Sequence, residues 1–279
     1  MRDLKVKVND IDLHVVDYGG SGKNVFCVHG LTANSRYWDA FAERMVDHYH
    51  VFAYDIRGRG NSEKPLEGNH ITQHASDIAG LIQKLELNNV ILVGHSLGSL
   101  IGVNFAVHYK DLLSHLILVD GGVEVDPKVI GTIKPALDRL GKEYNDFQSY
   151  LEEMKQNPLL SEWNEYMDQY YYSDVKHLDN GHVVSKVSKE AVRQEIEGVG
   201  NMNLNELHAG IECPTLLLMA QDCFMDGQTF VVSREKGQEL ENTIPNSRFV
   251  EIEEANHYTI ILTKYEELVF EVNRFLNDY

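Results

Sequence analysis

The residues Gly94-His95-Ser96-Leu97-Gly98 read G-x-S-x-G and directly follow the apolar run Val90-Ile91-Leu92-Val93. The stretch after them, Ser99 to Tyr109, reads as a helix. Strand, sharp turn and helix are the setting in which this short pattern becomes a nucleophile elbow. The turn forces the serine into a strained backbone conformation and lifts its hydroxyl above the sheet edge. Glycines on both sides keep the bend clear of neighbouring elements. A free serine hydroxyl is a poor attacker and needs a nearby base to take its proton. The chain holds 13 histidines that could serve.

The elements around the elbow alternate. Leu4–Val8 and Leu13–Tyr18 have a period of two and turn at Asn9-Asp10, as a hairpin does. Val25–Val28 is a buried strand ending at His29-Gly30. Trp38, Phe41, Ala42 and Met45 fall at helical spacing, and Val51–Tyr54 is the next strand. It runs into the polar, glycine-rich loop Asp55 to Ser62. Ala75, Ile78, Ala79, Ile82 and Leu85 line one face of a helix over Ile71–Leu85. After the elbow, Leu116–Val119 is a strand ending at Asp120-Gly121-Gly122.

The alternation then stops. From Val123 to His208 no buried strand pattern is visible; the segment reads as mostly helical and rich in tyrosine. It resumes with strand Thr215–Met219, a helix around Phe230–Leu240, strand Arg248–Ile252 and a helix around Lys264–Leu276. Strands alternating with helices predict a mainly parallel sheet covered on both faces. The expected organisation is a core of residues 1–122 and 209–279 with an insertion over 123–208.

His29-Gly30-Leu31 after a strand, the Asp55 to Ser62 loop, the elbow at Ser96 and Asn256-His257 near the C-terminus occur in the order and spacing of one superfamily. The chain resembles the α/β hydrolases, in the branch of serine hydrolases with a helical cap, over its whole length except the cap, where only size and position match. The resemblance implies an α/β-hydrolase fold: a mainly parallel eight-stranded sheet, helices on both faces and an inserted helical cap. It implies Ser96 as nucleophile and His257, on the loop after the last strand, as base. His95 is expected to point elsewhere and His29 to support the oxyanion loop. The acid usually follows the strand Thr215–Met219, as glycine, two residues, aspartate. Here the stretch is Ala220-Gln221-Asp222-Cys223-Phe224-Met225-Asp226. Asp222 is the first expectation; Asp120, after the preceding strand as in some relatives, is the alternative, and Asp226 comes third. The oxyanion hole takes backbone N–H groups from Leu31 and Leu97. The Arg57-Gly58-Arg59-Gly60 loop has neither a phosphate-loop nor a dinucleotide fingerprint and is expected to brace the strand ends.

Composition narrows the partners. The 279-residue chain has 43% hydrophobic residues and a net charge of −18. That charge repels nucleic acid and anionic membranes. No segment approaches the roughly 18 apolar residues of a membrane span. Met1-Arg2-Asp3-Leu4-Lys5 carries no signal-peptide core, and Cys27, Cys213 and Cys223 show no metal-ligand spacing. The expectation is a cytoplasmic monomer or homodimer with free thiols and no metal or organic cofactor.

The function expected is hydrolysis of a small to medium apolar carboxylic ester through an acyl-enzyme, by a carboxylesterase-type enzyme. The same constellation could cleave a lactone, an amide or a carbon–carbon bond. A ligand receptor on a hydrolase scaffold is the non-enzymatic alternative.

Overall fold

The computed structural model describes residues 1–160, 162–199, 202–224 and 226–279. Strands β1 (Arg2–Val8) and β2 (Ile11–Gly19) form the expected hairpin, closed by Asn9 and Asp10 at φ 48° and 65°. Two successive positive φ angles match the right-handed twist of paired strands, and Asn and Asp tolerate them. β3 (Lys23–Val28), β4 (Tyr49–Tyr54), β5 (Val90–His95) and β6 (Leu113–Val119) follow. The segment beyond β6 carries three short strands, β7 (Glu143–Tyr144), β8 (Val175–His177) and β9 (Val183–Ser185). β10 (Thr215–Ala220) and β11 (Ser247–Ile252) complete the main sheet.

That sheet has eight strands in the order β1-β2-β4-β3-β5-β6-β10-β11. β2 is antiparallel to both its neighbours, and the pairs from β4 to β11 are parallel. The central strands alternate between two cores, because successive side chains leave a strand on opposite faces. Val25, Cys27, Ile91, Val93, Ile117 and Val119 pack on one face with Phe41, Val272 and Phe275. Phe26, Val28, Val90, Leu92, Leu116 and Leu118 pack on the other with Ile78, Ile101 and Leu240. Each such buried aliphatic or aromatic side chain contributes roughly 1.5–3 kcal/mol.

The first face is covered by α1 (Asp39–Met45) and the C-terminal helix Tyr265–Asp278. The second is covered by α2 (Ile71–Lys84), α3 (Leu97–His108) and the helix Arg234–Thr243. α2 starts at His70, whose Nδ1 accepts the Gln73 N–H at 3.3 Å. α3 is buried from Leu97 to Ala106 and has no polar face, as a helix wedged between the sheet and its neighbours requires.

The segment after β6 is not purely helical. β7, β9 and β8 form a separate antiparallel sheet. At two or three residues each, these strands are too short to show an alternating pattern, and buried Val175 and Val183 do not stand out from helical neighbours.

Candidate active site

Ser96 stands between β5 and α3 at φ 55°, ψ −114°, a conformation that costs a non-glycine residue about 1–3 kcal/mol. Its surroundings hold it there. The Ser96 N–H donates to the carbonyl of Val119 at 3.0 Å, and the Ser96 carbonyl accepts the Ser99 N–H at 3.0 Å. The flanking glycines are required by close approach. A Cβ on Gly94 would lie 2.3 Å from the Gly98 carbonyl oxygen, and one on Gly98 would lie 2.2 Å from that of Val28.

His257 follows β11 and is buried. Its Nδ1 lies 2.7 Å from Asp120 Oδ2. Asp120 Oδ1 accepts the Ala220 N–H at 3.1 Å, and the Asp120 N–H donates to Leu218 O at 2.7 Å. Asp120 is thus fixed between the ends of β6 and β10, at φ 42°. With the ring N–H on Nδ1 given to a carboxylate, Nε2 is left as the basic atom.

The first expectation for the acid, Asp222, is corrected by this geometry. Its side chain is exposed, and its backbone N–H donates to Ala255 O at 2.8 Å. Asp226 is also exposed; its carboxylate accepts from the N–H groups of Gln228 and Thr229 and caps its own turn. The reason lies in the sheet order. β6 is the immediate neighbour of β5, whereas β10 is one strand further away. The alternative, Asp120, is the carboxylate that the sheet brings to His257.

Ser96 and His257 line one cavity of about 330 Å³, together with Gly30, Leu31 and Leu97. Leu97 is the first residue of α3, so its N–H has no acceptor within the helix. Among the described residues the Leu31 N–H has no backbone acceptor. His29 braces this loop: Nδ1–H donates to Gly30 O at 2.8 Å, and Nε2 accepts the Ile56 N–H at 3.1 Å. Burial pushes the His29 pKa down to about 4, which keeps the ring neutral in this double role.

His95, next to Ser96 in sequence, is bonded to the loop of His257. Its Nε2 donates to His257 O at 2.9 Å, and the two rings lie 4.6 Å apart between centroids. Burial first, and the neighbouring His257 second, hold His95 well below the usual histidine range, so it stays a neutral donor. Only the fold reveals this role, because it depends on where the loop of His257 crosses β5.

The Asp55 to Ser62 loop is structural. Asp55 accepts the N–H groups of Ser35 and Asn61, at 2.7 and 2.8 Å, and meets His14 Nδ1 at 2.8 Å. Arg57 and Asp77 form a buried bidentate pair, with bonds of 2.6 and 2.7 Å. Among the described residues no cluster of three His, Cys, Asp or Glu is placed to hold a metal ion. No described helix is long and apolar enough to cross a membrane.

The chain is similar to known hydrolases. It is 34% identical over 145 residues to 2-(acetamidomethylene)succinate hydrolase of Mesorhizobium japonicum, covering 52% of this chain and 52% of that one. It spans about half or less of the length of the curated relatives it matches. The crystal structure of E-2-(acetamidomethylene)succinate hydrolase superposes with a TM-score of 0.86 at 24% identity, covering 99% of each chain. That of an enol-lactonase from Burkholderia xenovorans gives 0.74 at 21% identity, covering 98% of this chain and 100% of that one. The family model described as alpha/beta hydrolase fold matches residues 23–263, and with an elbow serine, a histidine after the last strand and an eight-stranded sheet, the chain belongs to the α/β-hydrolase fold family.

Proposed function

We propose that the protein hydrolyses an uncharged carboxylic ester of small to medium size through an acyl-enzyme on Ser96. The observation that carries this reading is the Asp120–His257 bond in the wall of the cavity that also holds Ser96. His257 Nε2 takes the proton of Ser96 as Oγ attacks the ester carbonyl carbon. Asp120 holds the imidazole tautomer and stabilises the imidazolium. The oxygen that becomes negative accepts the N–H groups of Leu31 and Leu97. The tetrahedral centre collapses, and the alcohol leaves with the proton from His257. Water then gives a proton to the same nitrogen, attacks the acyl carbon and releases the acid, restoring Ser96.

The walls argue for the substrate class. Leu31, Leu100 and Val231 line the cavity together with Val129, Ile133 and Ile196. The last three belong to residues 123–208, which we take to be a cap closing over the site. Tyr170 of the same segment meets Tyr37 with ring centroids 5.3 Å apart. Among the described lining residues none is Lys or Arg. The similar M. japonicum enzyme is named for a dicarboxylate. Two carboxylates would find no cation in this cavity, and unpaired buried charge is strongly disfavoured. An uncharged acyl group fits the lining.

A panel of 4-nitrophenyl esters of graded chain length, with simple lactones and the 4-nitrophenyl monoester of succinate, tests the reading. Neutral short-chain esters should turn over at least about tenfold faster than the anionic one, in terms of kcat/KM. Preference for the anionic ester would overturn the substrate class.

A further inference from the structure

The turn Gly30-Leu31-Thr32 belongs to no strand or helix, yet two buried arginines grip its successive carbonyls. Arg59 donates from Nε and Nη2 to Leu31 O, at 3.0 and 2.9 Å. Its Nη1 donates to Arg57 O at 3.1 Å and to Glu195 Oε1 at 2.7 Å, and Nη2 also meets Glu195 Oε2. All five guanidinium donors are thereby used. Arg139 donates from Nη2 to Thr32 O at 2.6 Å and from Nη1 to Ala136 O at 2.8 Å. Its Nε lies 3.6 Å from Asp174 Oδ2.

Both carboxylates lie in the segment between β6 and β10, in the helices Lys189–Val199 and Glu165–Asp174. Glu195 also accepts from His74 Nε2 of α2, at 2.6 Å. Burial opposes ionisation of Glu195, but the Arg59 charge and the His74 bond outweigh it and hold the carboxyl below its usual range. A rigid guanidinium fork transmits direction as well as charge. Fixing the Leu31 and Thr32 carbonyls restricts rotation of the adjoining peptide planes. Arg59 thus holds the Leu31–Thr32 plane and Arg139 the Thr32–Ala33 plane; the Ala33 N–H of the latter donates to Gly30 O at 3.3 Å, and with His29 Nδ1–H on the same oxygen this sets the Gly30–Leu31 plane that carries the Leu31 N–H.

We propose that Glu195 and Asp174 are positioning residues: through Arg59 and Arg139 they aim the Leu31 N–H, so the oxyanion hole is complete only when the 123–208 segment is seated on the core. This rests on the reading of Leu31 as an oxyanion donor.

The test uses the full chain as Glu195→Gln, as Asp174→Asn, and as the charge-free pair Arg59→Met with Glu195→Leu. The pair leaves no buried charge alone, so it carries the test if Glu195→Gln fails to fold. Glu190→Gln, on the exposed side of the same helix, is the control. Five quantities are read: kcat and KM for 4-nitrophenyl butyrate, the rate of labelling by a fluorophosphonate, the affinity for an alkyl trifluoromethyl ketone, and the affinity for butylbenzene, which has no oxygen to enter the hole. Misaiming one donor should lower kcat, labelling rate and ketone affinity together by about 10- to 100-fold. KM and butylbenzene affinity should stay within about twofold, because neither reports the oxyanion. Asp174→Asn should move the same quantities in the same direction.

A folded Glu195→Gln protein or charge-free pair with all of these near wild type would overturn the proposal. So would equal losses in butylbenzene and ketone affinity, which would mean general loosening of the cavity. Turnover that survives Ser96→Ala would instead overturn the serine-hydrolase reading beneath it.

Discussion

His95 Nε2 donates to the backbone carbonyl of His257 at 2.9 Å, with the two imidazoles 4.6 Å apart. The residue before the elbow serine therefore holds the loop that carries the proposed base. The bond fixes the loop, and the neutral ring lies against the imidazole that takes the proton in the proposed mechanism.

Replacing His95 with Phe keeps an aromatic ring and removes the hydrogen bond. The expected result is a fall in kcat of about tenfold, since a small misplacement of a catalytic group is costly. KM should change little. Steady-state kinetics check this, and an unchanged kcat would show that the His257 loop needs no such tether.

Asp120→Asn and Asp222→Asn separate the two carboxylates. Asparagine at 120 can favour the wrong imidazole tautomer and cannot stabilise the imidazolium, so kcat should fall by about 10⁴-fold. Asp222→Asn should keep more than about a tenth of wild-type kcat, because its exposed side chain holds nothing in the site. The reverse pattern would return the acid to Asp222.

The difficulty at this position was physical. Asp120 and Asp222 each end a buried strand, and a linear pattern does not say which strand lies beside β5. That is fixed by the sheet order, through pairing of residues far apart in the chain. What could be read were features encoded over a few neighbouring residues: the elbow, the Asn9-Asp10 hairpin, the continuous apolar runs of β3, β5 and β6, and the periodic face of α2. The helix placed at Phe230–Leu240 begins instead at Arg234, where the Ser233 hydroxyl accepts the Lys236 N–H at 3.2 Å. Contacts made by backbone atoms, such as Ala220 N–H on Asp120 and Arg59 on Leu31 O, have no side-chain pattern that announces them.

Acid should destabilise the fold partly through His29. Its pKa is about 4 in the folded protein against 6.5 for the free side chain. Between these values the unfolded chain binds the proton and the folded chain does not, so stability falls as pH drops from about 6.5 towards 4. From pH 7 to pH 5 this one group should cost about 2 kcal/mol. Burial also pushes Asp39 up to about 6; its folded form binds the extra proton, which opposes part of this loss. Urea unfolding at pH 7 and pH 5, with His29→Gln beside wild type, isolates the term. The variant should start less stable and lose about 2 kcal/mol less between the two pH values. Equal losses would contradict a neutral buried His29.

The central claim is that Ser96 carries the acyl group. Mass spectrometry of the fluorophosphonate-treated protein, with peptide mapping, tests it directly. One adduct per chain should form on the peptide containing Ser96, in step with loss of esterase turnover. Ser96→Ala should take up no label, and its kcat should fall by about 10⁴-fold or more. A label mapped to another residue, or a Ser96→Ala protein that still turns over and labels, would contradict the account.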